Sequence, residues 1–187
     1  MIRMKVIYPD PPRPLYGTPE PTHTAVLTFY RDELIYDIEN YAFVEGDIAP
    51  TDNAHQSHQV FDIAQDGNVD RVNRVLNLAV SEITEQLYPY TKEEINGDTL
   101  ACDDKASAPD SYAITLKLPS DFAANTVHLI TRMIHEYLVY RVLQDWLSIT
   151  YPDASAKWLD KIEMLVTKIR TALLSRAKTM RRKMKPF

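Results

Sequence analysis

The stretch "VHLITRMIHEYLVYRVLQDWL", residues 127–147, is the strongest constraint in this chain. Read at helical pitch it is apolar on nearly every side, with Tyr137, Leu138, Val139, Tyr140, Val142 and Leu143 in close succession. A helix of this kind has no face to give to water. It must sit inside a bundle or against a neighbouring subunit, so the rest of the chain has to supply its cover. The helix is expected to open after Pro119, at Ser120 or Asp121, and to run to about Ser148.

Two amphipathic segments can supply that cover. "NVDRVNRVLNLAVSEITEQL" sets Val69, Val72, Leu76, Ala79, Val80, Ile83 and Leu87 on one stripe, with Asn68 placed to act as N-cap. Near the end of the chain, Trp158, Leu159, Ile162, Leu165, Val166, Ile169, Leu173 and Leu174 share a face, behind the short connector "SITYPD" and a predicted N-cap at Asp153. A connector this short joins antiparallel neighbours. Between the first pair of helices, "SYAITLKLP" alternates Tyr112, Ile114, Leu116 and Leu118 as a short strand. That strand needs a partner, which is expected from "TAVLTFYRDELIYDIENYAFVEGDI". This early stretch is ambiguous. Leu34, Ile38 and Tyr41 keep helical spacing, whereas Tyr36 and Ile38, then Tyr41 and Phe43, alternate; a helix over 32–44 is the favoured reading.

The first 24 residues hold six of the twelve prolines, which predicts an extended arm with few internal hydrogen bonds. The expected fold is therefore mainly α: a bundle of three or four helices with an extended Pro-rich N-terminal arm and a short β element. Residues 1–67 are expected to form the arm and a connector with one helix, and residues 68–187 a helical domain with a basic C-terminal tail. Only four glycines argue against a glycine-rich phosphate loop. The single Cys102 has no disulfide partner within the chain and suits a reducing compartment. No apolar run approaches a membrane span, and the N-terminus lacks the pattern of a signal peptide, so no membrane partner is expected.

A search for chemistry finds little. "HEYLV" at His135 begins like a zinc-protease helix, but Val139 stands where the second His is needed. His55 and His58 lie in a polar connector with Asp52 and Asp62 nearby, and read as solvated linker residues rather than ligands. Glu33, Asp37 and Glu39 read as a solvated acidic face rather than a general acid and base. Ser81, Ser120 and Cys102 have no assignable His and acid partners. No catalytic residue, cofactor or metal is expected, and the chain is not read as an enzyme.

The charge is sharply segregated. Residues 164–187 carry eight basic side chains and no acidic one, which leaves 21 − 8 = 13 basic against 26 acidic residues elsewhere, a formal charge of −13. Cations at a helix C-terminus complement its dipole, which alone accounts for Arg176, Lys178 and Arg181. It does not account for the terminal Phe187, which with Met184 mixes apolar anchors among the cations. A tail that docks on an acidic partner surface uses all of these features. Direct contact with nucleic acid is the alternative, with salt-dependent binding as its mark.

The order of elements resembles the head–tail connector, or adaptor, proteins of tailed bacteriophages. The resemblance is carried by "VNRVLNLAVSEITEQLYPYT", by "LPSDFAANTVHLITRMIHEYLVYRVLQDWL" with its Tyr-x-x-Arg-like "YLVYR" (Tyr137 to Arg141), and by "IRTALLSRAKTMRRKMKPF". It covers roughly residues 68–187; the Pro-rich first 67 residues and the "AITLKLP" strand depart from it. It implies a structural virion protein of the phage neck, assembled in the host cytoplasm. Such proteins form a homo-oligomeric ring, commonly of twelve copies, that links the portal protein to the tail or tail-completion proteins and continues the DNA channel. It makes Arg181, Arg182, Lys183, Lys185 and Phe187 candidates for portal docking, and Tyr137, Tyr140, Arg141 and Trp146 candidates for the subunit interface. A DNA-binding accessory protein acting through the basic end is the alternative function.

Overall fold

The computed structural model describes residues 22–48, 59–88, 90–92, 108–119 and 122–174. Strand β1 (Thr22–Tyr30) runs directly into helix α1 (Arg31–Ile48). A 3-10 turn (Asp62–Ala64) precedes α2 (Val69–Gln86), and β2 (Ser111–Pro119), α3 (Ala124–Thr150) and α4 (Pro152–Leu174) follow. The protein is mainly α, with one small antiparallel sheet made of β1 and β2. Residues 181–187, His55, His58, Cys102 and the first 21 residues of the expected arm lie outside the described residues.

Helix α3 is the axis of the fold. Ile130, Ile134, Leu138, Val139, Val142, Leu143 and Leu147 are all buried, and α1, α2, α4 and β1 pack around them. Each such side chain contributes roughly 1.5–3 kcal/mol through burial, which is why a helix without a polar face tolerates only a central place. The helix begins at Ala124 rather than at Ser120 or Asp121. The Phe122 N–H is donated to the Pro119 carbonyl at 3.0 Å and Ala123 is extended, so the chain is not yet helical at Ala123.

At its other end α3 runs on to Thr150, and only Tyr151 separates it from α4. The Tyr151 N–H is donated to Leu147 O at 2.9 Å, and its carbonyl accepts the Ala154 N–H at 3.1 Å. Pro152 then opens α4, a position where its missing N–H costs nothing. Asp153, expected as the N-cap, lies inside the first turn, where its charge suits the helix dipole. Trp158, Ile162, Leu165, Ile169 and Leu173 are buried against α3 as the spacing predicted, while Leu159 on the edge of that face is exposed.

In α2 the predicted stripe faces the core through Val72, Leu76, Ala79 and Ile83, continued by Leu87 just past the helix end. Asn68 does not cap the helix with its side chain. Its Nδ2 is donated to the Asp62 carbonyl at 2.7 Å instead, which ties the 3-10 turn to the start of α2.

The strand partner comes from the expected region. β1 pairs with β2 so that Leu27 faces Ile114 and Phe29 faces Tyr112, all four buried. Helix α1 runs further than expected at both ends, and the alternating reading of its aromatics fails because Leu34, Ile38 and Ala42 form the buried line. Leu27, Phe29, Leu34, Ile38, Val60 and Ile63 belong to the same core as α2, α3 and α4. One core thus takes in buried residues from both sides of residue 67.

Candidate functional site

The four residues expected at a subunit interface are each engaged inside the chain. Arg141 donates from Nε to Glu82 Oε2 at 3.0 Å and from Nη2 to Oε1 at 3.2 Å, a two-pronged ion pair between α3 and α2. Tyr137, buried at 4% exposure, donates its hydroxyl to the same Oε2 at 3.2 Å. Burial, with Glu82 beside it, holds the Tyr137 phenol well above its ordinary ionisation range. Its bonds to Glu82 likewise raise Arg141, against the opposing effect of burial. Trp146 donates Nε1 to the Val60 carbonyl at 3.2 Å, which pins the segment ahead of the 3-10 turn onto α3.

Tyr140 belongs to an aromatic cluster that joins three helices. Its ring meets Trp158 of α4 at 5.0 Å and Tyr41 of α1 at 5.7 Å, and Tyr41 meets Trp158 at 5.4 Å, all edge to face. Lys161 Nζ stands 3.8 Å from the Trp158 ring centroid and 5.3 Å from that of Tyr140, a cation over two π faces. Burial first, then hydrogen bonding to Glu136 and Tyr41, raises the Tyr140 phenol. Beside the cluster, the buried Glu45 of α1 is neutralised by Lys157 of α4 at 2.6 Å. All of this is cross-bracing of one chain.

His135 hydrogen-bonds Asp37 at 2.7 Å and so links α3 to α1. His128 lies exposed on α3. Among the described residues no group of three or more His, Cys, Asp or Glu is placed to hold a metal ion, and no helix is long and apolar enough to cross a membrane.

What remains for partners is surface. Helix α1 carries six acidic residues against one basic, and turns an outer face bearing Glu33, Tyr36, Glu39, Asn40, Phe43 and Asp47 to solvent. Tyr36 and Phe43 are 64% and 62% exposed and, with Val44 and Ile48, set apolar surface beside the acids of α1. The edge of this face holds a groove of about 370 Å³, bordered by Glu39, Asn40, Phe43, Phe61, Ala64 and Gln65. Phe61 packs against Phe43 with ring centroids 5.3 Å apart. It lies this close to α1 because of Gly46: a Cβ there would meet the Phe61 ring at 2.5 Å. A second, larger groove of about 560 Å³ runs between α3 and α4 past Leu129, Met133, Leu165 and Lys168.

Sequence reasoning named the acids of α1 as a solvated face but missed that aromatics share it. The signal was present in the spacing of Tyr36, Asn40, Phe43 and Asp47, which recur at 4, 3 and 4 residues on the side opposite Leu34, Ile38 and Ala42. The groove itself needs Phe61, and nothing in the spacing brings that residue to Gly46.

No family model matches this chain, and no curated protein or solved structure matches it either.

Proposed function

We propose that this chain is a structural protein of a tailed-bacteriophage neck, acting by assembly and not by turnover. Its copies form a closed ring that links the portal to the tail and continues the DNA channel. The observation that carries this reading is the continuous body formed by α2, β2, α3 and α4, built from the same segments whose order resembles the connector proteins. An acidic face crossed by exposed aromatics, on a chain whose tail is basic, adds the kind of surface that protein assembly uses. Copies joined by one repeated unlike-to-unlike contact close into a ring when the rotation allows.

Arg181, Arg182, Lys183, Lys185 and Phe187 are the docking residues of this reading, carried on the tail. Tyr137, Tyr140, Arg141 and Trp146 each make bonds or ring contacts within the protomer, and Tyr140, Arg141 and Trp146 keep part of their surface exposed for a subunit contact. The test is negative-stain electron microscopy of the purified protein, alone and mixed with purified portal rings. Closed rings with a central opening, or decoration of the portal, are expected. Single particles under both conditions overturn the proposal.

A further inference from the structure

We infer that the basic C-terminal tail of one copy docks on the acidic, aromatic face of α1 in a second copy, with Phe187 seated in the groove beside Phe43 and Phe61. The inference rests on the assembly reading for ring closure, and it assigns to the subunit contact the tail residues that the resemblance gives to the portal.

Charge and side-chain chemistry select the occupant. Residues 175–187 carry six basic residues and no acidic one, interspersed with Met180, Met184 and Phe187. The α1 face offers their complement, with Glu33, Glu39 and Asp47 exposed around Tyr36 and Phe43. Among the acids of α1, Glu45 is neutralised by Lys157, Asp37 is bonded to His135 and Asp32 pairs with Arg31, which among the described residues leaves Glu33, Glu39 and Asp47 to meet cations from elsewhere. Arginines stack on aromatic faces while pairing with carboxylates, so a mixed surface of this kind suits Arg181 and Arg182. The groove of about 370 Å³ is large enough for a phenyl side chain, and two aromatic rings border it.

Helix geometry sets the root of the tail at the far pole from its own groove. Helix α4 passes α1 near its start, where Trp158 meets Tyr41, and then runs about 24 Å further to Leu174 at 1.5 Å per residue. There it lies near the beginning of α3, since Leu165 and Ala172 share a groove with Thr126 and Leu129. The groove that would receive Phe187 is at the other pole, because Val60 beside it bonds Trp146 near the end of α3. Helix α4 thus ends at the pole away from its own groove. The 13 residues beyond Leu174 can span roughly 43 Å when extended, so the choice of a neighbouring copy rests on the ring reading, and the isotope test separates it from the chain's own face. A donor surface at one pole and an acceptor at the other is a heterologous contact, which generates rings or filaments rather than an isologous dimer.

The test uses the full chain with Phe187→p-benzoylphenylalanine, unfolding ¹⁵N-labelled and unlabelled protein together in urea and refolding the mixture before photolysis and mass mapping. Cross-links from position 187 to residues 36–48 or 59–65 are expected, with labelled-to-unlabelled pairs among them. Pairs confined to one isotope would show a chain folding onto itself, and cross-links elsewhere, only to added portal, or none at all would equally overturn the inference. Glu39→Arg with Asp47→Arg should lower the mixed yield at least fivefold, as should Arg181→Glu with Arg182→Glu, and combining the four should restore it. No loss in either pair counts against the contact. Expected cross-links in open chains or dimers would retain the contact and remove the ring.

Discussion

Arg141 and Glu82, 59 residues apart in sequence, meet through two parallel hydrogen bonds that lock α3 to α2. The pair is only partly screened, with side-chain exposures of 23% and 34%, and Tyr137 donates a third bond to the same carboxylate. Glu82→Ala leaves a guanidinium and a buried phenol without their acceptor, and is expected to cost about 2 kcal/mol. Arg141→Met on that background should cost less than it does alone. Urea unfolding of the four proteins in a double-mutant cycle checks both statements.

Gly46 and Phe61 form a second fitted pair. The methyl group of Gly46→Ala would stand 2.5 Å and 2.9 Å from two ring carbons of Phe61. The ring borders the groove and is half-buried, so it can swing outward at the expense of its packing on Phe43. The substitution is expected to destabilise by about 1–3 kcal/mol and to close the groove on α1. Adding Phe61→Leu should recover most of the stability, measured as the shift of Tm, but not the cross-link to position 187.

Alkaline unfolding should report on Tyr137. Its phenol is held above the ordinary value by burial first and by Glu82 second, so the folded protein keeps a proton that the unfolded chain releases near pH 10. Above that pH the unfolded state binds fewer protons, and stability falls as pH rises, by roughly 1.4 kcal/mol per pH unit for this group. Below pH 10 the group contributes no slope. Tyr137→Phe should reduce the decline between pH 10 and 11.5, followed by urea midpoints at fixed ionic strength.

Trp158 is the largest fully buried side chain at the meeting of α1, α3 and α4. Trp158→Ala is expected to cost about 3–5 kcal/mol. Lys161→Met removes the cation over two rings while keeping its length, and should cost about 0.5–1 kcal/mol. Thermal unfolding of both variants checks the ordering.

The two long helices of the hairpin and α2 were legible because their apolar periodicity is strong, and β2 because Tyr112, Ile114, Leu116 and Leu118 alternate cleanly. Helix ends were read less well. Asn68 and Asp153 are good N-cap residue types, yet the first turns beside them are arranged by an Asp62 carbonyl and by Pro152, which residue type alone does not disclose. Helix α1 was hard to read because both of its faces carry large apolar groups, so neither period dominates.

The candidate site divides the same way. The basic tail and the acids of α1 are statements about composition along the chain, and the sequence determined them by itself: charge, periodicity and the need to bury residues 127–147 are local properties. Which aromatics lie inside and which face water was decided by tertiary structure. Tyr137, Tyr140 and Trp146 became internal braces because Glu82, Trp158 and Val60 reach them from distant parts of the chain. Tyr36 and Phe43 stayed outside because one helix packs one face against a core, and Leu34, Ile38 and Ala42 had already taken it.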